Sequence, residues 1–387
     1  MFPTRFVNLP EARAQFGDRV DRLGAYLTRV DPLADAVVTA MEAMPPGAGW
    51  ALFRRAAQGG IASLTDAPQA LRAFFADVER VPVWVDDEIL DRGGAVLMRA
   101  GPLGGIVLGM KSLVLGYASP AGNKPLILSG RLEEQAGRRL NETARFVQAT
   151  IAPGGMRPHA NGWQLTLNVR LIHAQVRRMI AKSGRWDASA WGAPINQHDE
   201  LGTLLLFSVV VLEGLRQLGM RIAPGDAEAY MHLWRWSGCL MGVEPELLPA
   251  TEAEGRRFGD LIAATQGAPD DDSRRLTWAL LGSHRRDAKT ASSRTNAERL
   301  ARFSQAMCRA LVGDVTADQL GVEGSSWSYV VPFARRLVSS MELVRQNVPF
   351  GNMSALWAGT RYWDRVVDAG LVGAVELKLP ERLARAA

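Results

Sequence analysis

The sequence predicts an all-α protein, folded as a single large helical domain over residues 1–387. Three observations carry that expectation. Apolar residues recur with the 3.6-residue period of an amphipathic helix along most of the chain. The β-branched alternation that marks a strand is nearly absent. Proline and glycine punctuate the chain at intervals of one helix, as at 45–47, 59–60, 153–155 and 224–225.

In chain order the periodicity predicts helices over 10–27, 32–44, 51–58, 67–78 and 86–99. A glycine-rich apolar helix follows over 102–118, with Gly104, Gly105, Gly109 and Gly116. Glycines cost helix propensity, so they make sense where a flat ligand or another helix comes close to the backbone. Ser129 is placed to cap a helix that runs to residue 151, and a second long helix covers 162–182. Helices over 199–218 and 224–241 come next. Residues 249–290 are polar and read as short helices and loops. The C-terminal part predicts helices over 297–311, 332–345 and 353–369. Composition shifts nowhere sharply, which argues for one domain.

Composition excludes several classes. The chain has 47% hydrophobic and 22% charged residues, too apolar for a disordered chain. Two cysteines rule out a disulfide scaffold and a cysteine-rich zinc or iron–sulfur site, and without CxxCH there is no covalent c-type haem. The net charge of +5 comes mostly from 40 arginines against 5 lysines, a bias typical of GC-rich bacterial genomes. The basic residues are interleaved with acids, so no nucleic-acid partner is expected. The apolar windows 101–116 and 201–212 fall short of the roughly 20 residues a bilayer span needs, and the first twenty residues contain no export-type apolar core. The expected location is the cytoplasm.

The chemistry-bearing segment is 138–178. On the helix over 162–182, Leu165, Val169, Ile172, Val176 and Met179 form a stripe that is expected to be buried. His173 lies at its margin, with Arg170 and Arg177 one turn away on either side. Two readings are open. One is a core histidine bonded to a carbonyl, flanked by two surface arginines. The other is a haem site, with His173 as axial ligand and metal-binding residue, and Arg170 and Arg177 pairing with the propionates. On the preceding helix Arg139, Thr143 and Phe146 share a face, with Glu142 at its edge. They are either an interhelical hydrogen-bonding group or a polar pocket that steers an oxygen. His232, four residues after Glu228, is a core or pocket histidine or a fallback ligand. No Glu-x-x-His occurs, which excludes a di-iron carboxylate bundle. GxSxG, HExxH and Walker motifs are also absent.

The run Arg139-Leu140-Asn141-Glu142-Thr143-Ala144-Arg145-Phe146 resembles the R-x-x-x-T signature of the rubber oxygenase (latex clearing protein) and mycophenolate-pathway oxygenase family. Val169–Arg177, thirty residues beyond Thr143 at His173, resembles that family's haem-ligand helix. Asn196 to Asp199 resembles its N-x-x-D helix start, and the stretch from His232 to Pro249 its next block. The resemblance covers about residues 85–250. It implies a globin-like helical core around a pocket for a non-covalent b-type haem (an iron cofactor), with His173 as proximal ligand and Arg139 and Thr143 on the distal side. It implies an oxidoreductase, an oxygenase of dioxygenase type, which uses O2 to cleave the C=C of a small hydrophobic substrate. Rubber-cleaving members have a distal lysine directly before the Thr. Here that position is Glu142, so lysine ligation is not carried over; Glu142 is either a proton-transfer group or a partner of Arg138 or Arg145. The alternative from another class is a non-catalytic haem sensor or store.

Overall fold

The structure is a computed structural model that describes residues 1–128, 132–286 and 290–370. Among the described residues there is no strand. The one ladder contact is an isolated antiparallel bridge between Phe6 and Gln266. After two short helices near the N-terminus come the helices that build the body: α1 (Pro32–Glu42), α2 (Asp87–Ala100), α3 (Pro102–Tyr117), α4 (Leu132–Ile151), α5 (Asn161–Ser183), α6 (Gln197–Phe207), α7 (Val209–Gln217), α8 (Pro224–Met241), α9 (Glu252–Thr265), α10 (Asp271–Leu281), α11 (Ala291–Val312), α12 (Val330–Asn347) and α13 (Gly351–Gly370). No single helix among the described residues is long and apolar enough to cross a membrane. The expected all-α class is what is found. Two expectations are corrected. Residues 249–290 contain two full helices, α9 and α10, started by caps at Thr251 and Asp270. The helix expected over 199–218 is two helices, because Ser208 leaves helical geometry at φ −106°, ψ −96°.

Helix α2 is the hub. Asp86 caps it by accepting from the Glu88 and Ile89 amides. Gly101 ends it at φ +51°, where glycine is favoured, and Pro102 starts α3 at 88° to it. Both α2 glycines serve helix contacts. A Cβ at Gly93 would stand 2.2 Å from the Ala229 carbonyl oxygen on α8, and one at Gly94 equally close to that of Ile151 on α4. The far end of α2 receives α13, where a Cβ at Gly359 would overlap the Met98 carbonyl. Gly93→Ala should therefore cost about 1–3 kcal/mol, the usual range for overpacking, and more if α8 cannot shift. Chemical denaturation measures it; a change under about 0.5 kcal/mol, the scale of neutral surface substitutions, would mean the α2–α8 contact is loose.

The larger apolar core draws on residues from Phe6 to Trp363 and includes the fully buried Trp163, Trp234, Trp236 and Trp363. Phe207 stacks on Trp234 with ring centroids 5.1 Å apart, and Phe146 meets both edge-on. A smaller cluster around Val114, Leu280, Cys308 and Leu320 joins α3 to α10 and α11.

Candidate active site

Helices α4 and α5 form an antiparallel hairpin whose register is set by glycine. A Cβ at Gly162 would lie 2.5 Å from the Ala149 carbonyl, and one at Gly155 would lie 2.1 Å from it. Thr143 and Glu142 are half-buried. The side chain of Arg139 lies outside the described residues, as does the expected cap at Ser129. Phe146 is not a pocket aromatic; it belongs to the aromatic core described above.

The buried face of α5 differs from the one expected. Trp163, Leu167, Arg170, Leu171, Ala174, Arg177 and Ile180 are buried, whereas Val169, Ile172, His173 and Val176 are half-buried. The reason is where the arginines point. Arg170 donates from Nε to Asp31 Oδ2 at 2.6 Å, from Nη2 to Asp31 Oδ1 at 3.1 Å and from Nη1 to the Leu240 carbonyl. Its guanidinium also lies over the Phe74 ring. Arg177 donates to Asp35 at 2.9 Å and 2.7 Å and to the Ile195 carbonyl. Asp31 is the N-cap of α1 and Asp35 lies in its first turn. In this structure Arg170 and Arg177 are thus engaged by carboxylates of α1. Both are occupied by carboxylates, and what they hold here is α1 against α5.

His173 faces another helix. Its Nδ1 is 2.7 Å from Glu200 Oε1 on α6, a carboxylate with a side chain only 9% exposed. With the Glu200 oxygen as acceptor the imidazole donates from Nδ1, which leaves Nε2 as the ring nitrogen that a ligand could take. This arrangement is how metal-binding histidines are usually oriented and made more basic. Sequence reading did not single out Glu200 as a site residue. The start of α6 is made by Asn196, whose side chain accepts from the Asp199 amide. Burial by itself would raise the Asp199 carboxyl, but Arg5, bound through two bonds of 2.8 Å and 2.7 Å, together with His198, holds it well below the usual range. With Asp199 turned to Arg5, the next residue, Glu200, turns to His173.

The other histidines have local roles. His232 Nε2 accepts from the Asp86 amide at 3.3 Å, and burial followed by Arg235 lowers its pKa. His159, at φ +65°, is half-buried between the Ala57 carbonyl and Trp163.

The residues can be tested against a haem. Among the described residues no three His, Cys, Asp or Glu side chains converge on a point where they could hold a bare metal ion. A lone oriented imidazole suits a metal that arrives inside its own macrocycle. The glycine-rich helix supplies a cradle. Gly104, Gly105 and Gly116 are explained by close contacts with Leu97, Tyr362 and Leu206. Gly109 differs: it is buried, yet a Cβ there would meet nothing within 4 Å. It sits in a π-helical stretch, Leu108–Ser112, a distortion that often marks functional sites. On the same stretch the buried Ser112 Oγ has no hydrogen-bond partner. That stretch touches α6, the helix of Glu200. The donor set and the cradle fit a haem.

Comparison with known proteins agrees with the fold. Residues 92–345 match the family described as ER-bound oxygenase mpaB/B'/Rubber oxygenase, catalytic domain. A rubber oxygenase of Streptomyces sp. (strain K30) is 29% identical over 275 residues, which is 69% of this chain. The match spans 65% of that relative's length. The solved structure of latex clearing protein LCP in the closed state superposes with a TM-score of 0.65 at 24% identity, covering 87% of this chain and 88% of that one.

Proposed function

This chain belongs to the mpaB/B'/rubber oxygenase catalytic-domain family, and from that premise we propose that it is a b-type haem-dependent oxygenase that cleaves the C=C of a small hydrophobic substrate. The single observation that carries the cofactor is the Glu200–His173 pair, which presents a free Nε2 from a half-buried imidazole. Bound haem would supply the one-electron and O2 chemistry that no side chain offers. The protein's own residues would do the rest. His173 would hold the haem iron through its imidazole, and Glu200 would be its positioning residue, fixing the ring through Nδ1. Gly109 would let the macrocycle lie against the α3 backbone. Thr143, half-buried on α4, and Arg139, one turn before it, would be the hydrogen-bond donors that orient oxygen. Glu142, beside Thr143, would be the group able to exchange a proton there. The half-buried apolar face of Val169, Ile172 and Val176 would exclude water and favour an apolar substrate.

The test is an absorption spectrum of the purified protein, air-oxidised and then reduced with dithionite. A Soret band that shifts on reduction, with a b-type pyridine haemochrome, is expected. Oxygen uptake that depends on an added alkene would then separate an oxygenase from a haem sensor or store. A colourless protein that also refuses added haemin would remove the haem reading altogether.

A further inference from the structure

Independently of the chemistry at His173, the C-terminal hairpin carries a surface that the other described residues leave exposed. On α12, Phe333, Leu337, Met341 and Val344 recur at intervals of four, four and three residues, and each is between 52% and 68% exposed. Such spacing sets them on one stripe. The opposite side of α12 is the one docked on the body. Ser339 donates to the Gly219 carbonyl, and Glu342, buried, accepts from the Arg221 amide and from Arg345. The stripe continues through Phe350 in the turn. Met353 and Trp357 extend it along the side of α13 away from the buried Gly359 and Trp363. Scattered exposed apolar residues are ordinary, but an ordered stripe of this length marks an interaction surface.

Its surroundings say what covers it. Arg336 is exposed on α12, and the Arg361 guanidinium lies 4.1 Å from the centroid of the exposed Trp357 ring. Just before α12 a cleft of about 630 Å³ is lined by Arg294, Arg299, Arg302 and Trp327. The one acid in it, Glu298, is already bound by Arg285 and Arg302. Trp327 packs edge-on against Phe303 and stands two residues before Tyr329, which is 74% exposed and leads into the stripe. An apolar stripe flanked by arginines and by Trp and Tyr is the composition of a helix lying in a bilayer interface. A two-fold contact between copies would bring these arginines against one another; anionic headgroups would instead neutralise them.

We infer that α12 and the turn into α13 dock on an anionic lipid surface, with Phe333, Leu337, Met341 and Val344 entering the acyl boundary and Arg294, Arg299 and Arg302 receiving headgroups. This docking would set the protein against the phase in which apolar molecules dissolve.

Co-sedimentation of the full chain with lipid vesicles tests it. The protein should pellet with phosphatidylcholine vesicles containing about 30% phosphatidylglycerol, less with phosphatidylcholine alone, and less again at high salt. Leu337→Asp with Met341→Asp should lower the partition coefficient by roughly tenfold or more. Arg294→Glu with Arg302→Glu should remove the preference for the anionic vesicles. All four positions are exposed, and unchanged far-UV circular dichroism would show that folding is intact. Three results would overturn the proposal: wild-type protein that stays in the supernatant, an apolar-stripe variant that pellets as well as wild type, or sedimentation velocity showing a dimer that Leu337→Asp dissolves.

Discussion

His173→Ala should lose most of its haem and keep its helices. The imidazole is the one oriented nitrogen ligand the site offers, and no cluster of other ligating side chains stands in reserve among the described residues. The substitution itself is mild for the fold. His173 is half-buried, its side chain 30% exposed, and alanine is the best helix former. Haem per polypeptide, from the pyridine haemochrome, and ellipticity at 222 nm separate the two effects. A full haem complement with an unchanged spectrum in His173→Ala would show that another residue binds the iron. His173→Gly should regain a spectrum when imidazole is added, which a merely structural histidine would not do. Glu200→Gln belongs to the same prediction. It keeps a hydrogen-bond acceptor but removes the charge, so haem should stay while the reduction midpoint rises by tens of millivolts. An unmoved midpoint would reduce Glu200 to packing.

The difference between Glu200 and His173 also measures what a sequence discloses. His173 was legible because its helix is long and its neighbours periodic, and the resemblance to the oxygenase family fell on the same residue. Glu200 was not, because its partner is 27 residues away on another helix and a first-turn acid already has a sufficient local reason. Local rules served well where the cause is local. Asp31, Asp86 and Asn196 all cap helices near where the patterning starts them. They failed at Ser208, since residues 201–212 are apolar throughout and give a break no contrast to appear against. The glycines of α3 show a mixed case. Their excess announced close approach, but only the packing separates the three that admit side chains from Gly109, which opens onto space.

The two arginines that flank His173 in sequence yield the second large effect, in stability. Asp31→Ala should destabilise the protein by about 3–5 kcal/mol, because it strands the Arg170 guanidinium in the interior. Arg170 and Asp31 have side chains only 4% and 9% exposed, and two hydrogen bonds join them. Loss of the α1 cap, where Asp31 accepts from the Ala34 amide, adds to the deficit by about 1 kcal/mol. Asp35→Ala should cost less, since Asp35 itself is 36% exposed and the buried Arg177 head keeps its bond to the Ile195 carbonyl. Urea titrations of the variants give both numbers. Replacing the whole pair, Asp31→Leu with Arg170→Met, should recover most of the loss, as buried pairs often tolerate apolar exchange better than the removal of one partner. The same double variant decides what Arg170 is for. If it serves only to hold α1 on α5, haem affinity in the double variant should match wild type. If haem affinity falls tenfold or more while stability is restored, Arg170 reaches a propionate in the loaded protein, and the Asp31 pair is a resting arrangement that the cofactor displaces.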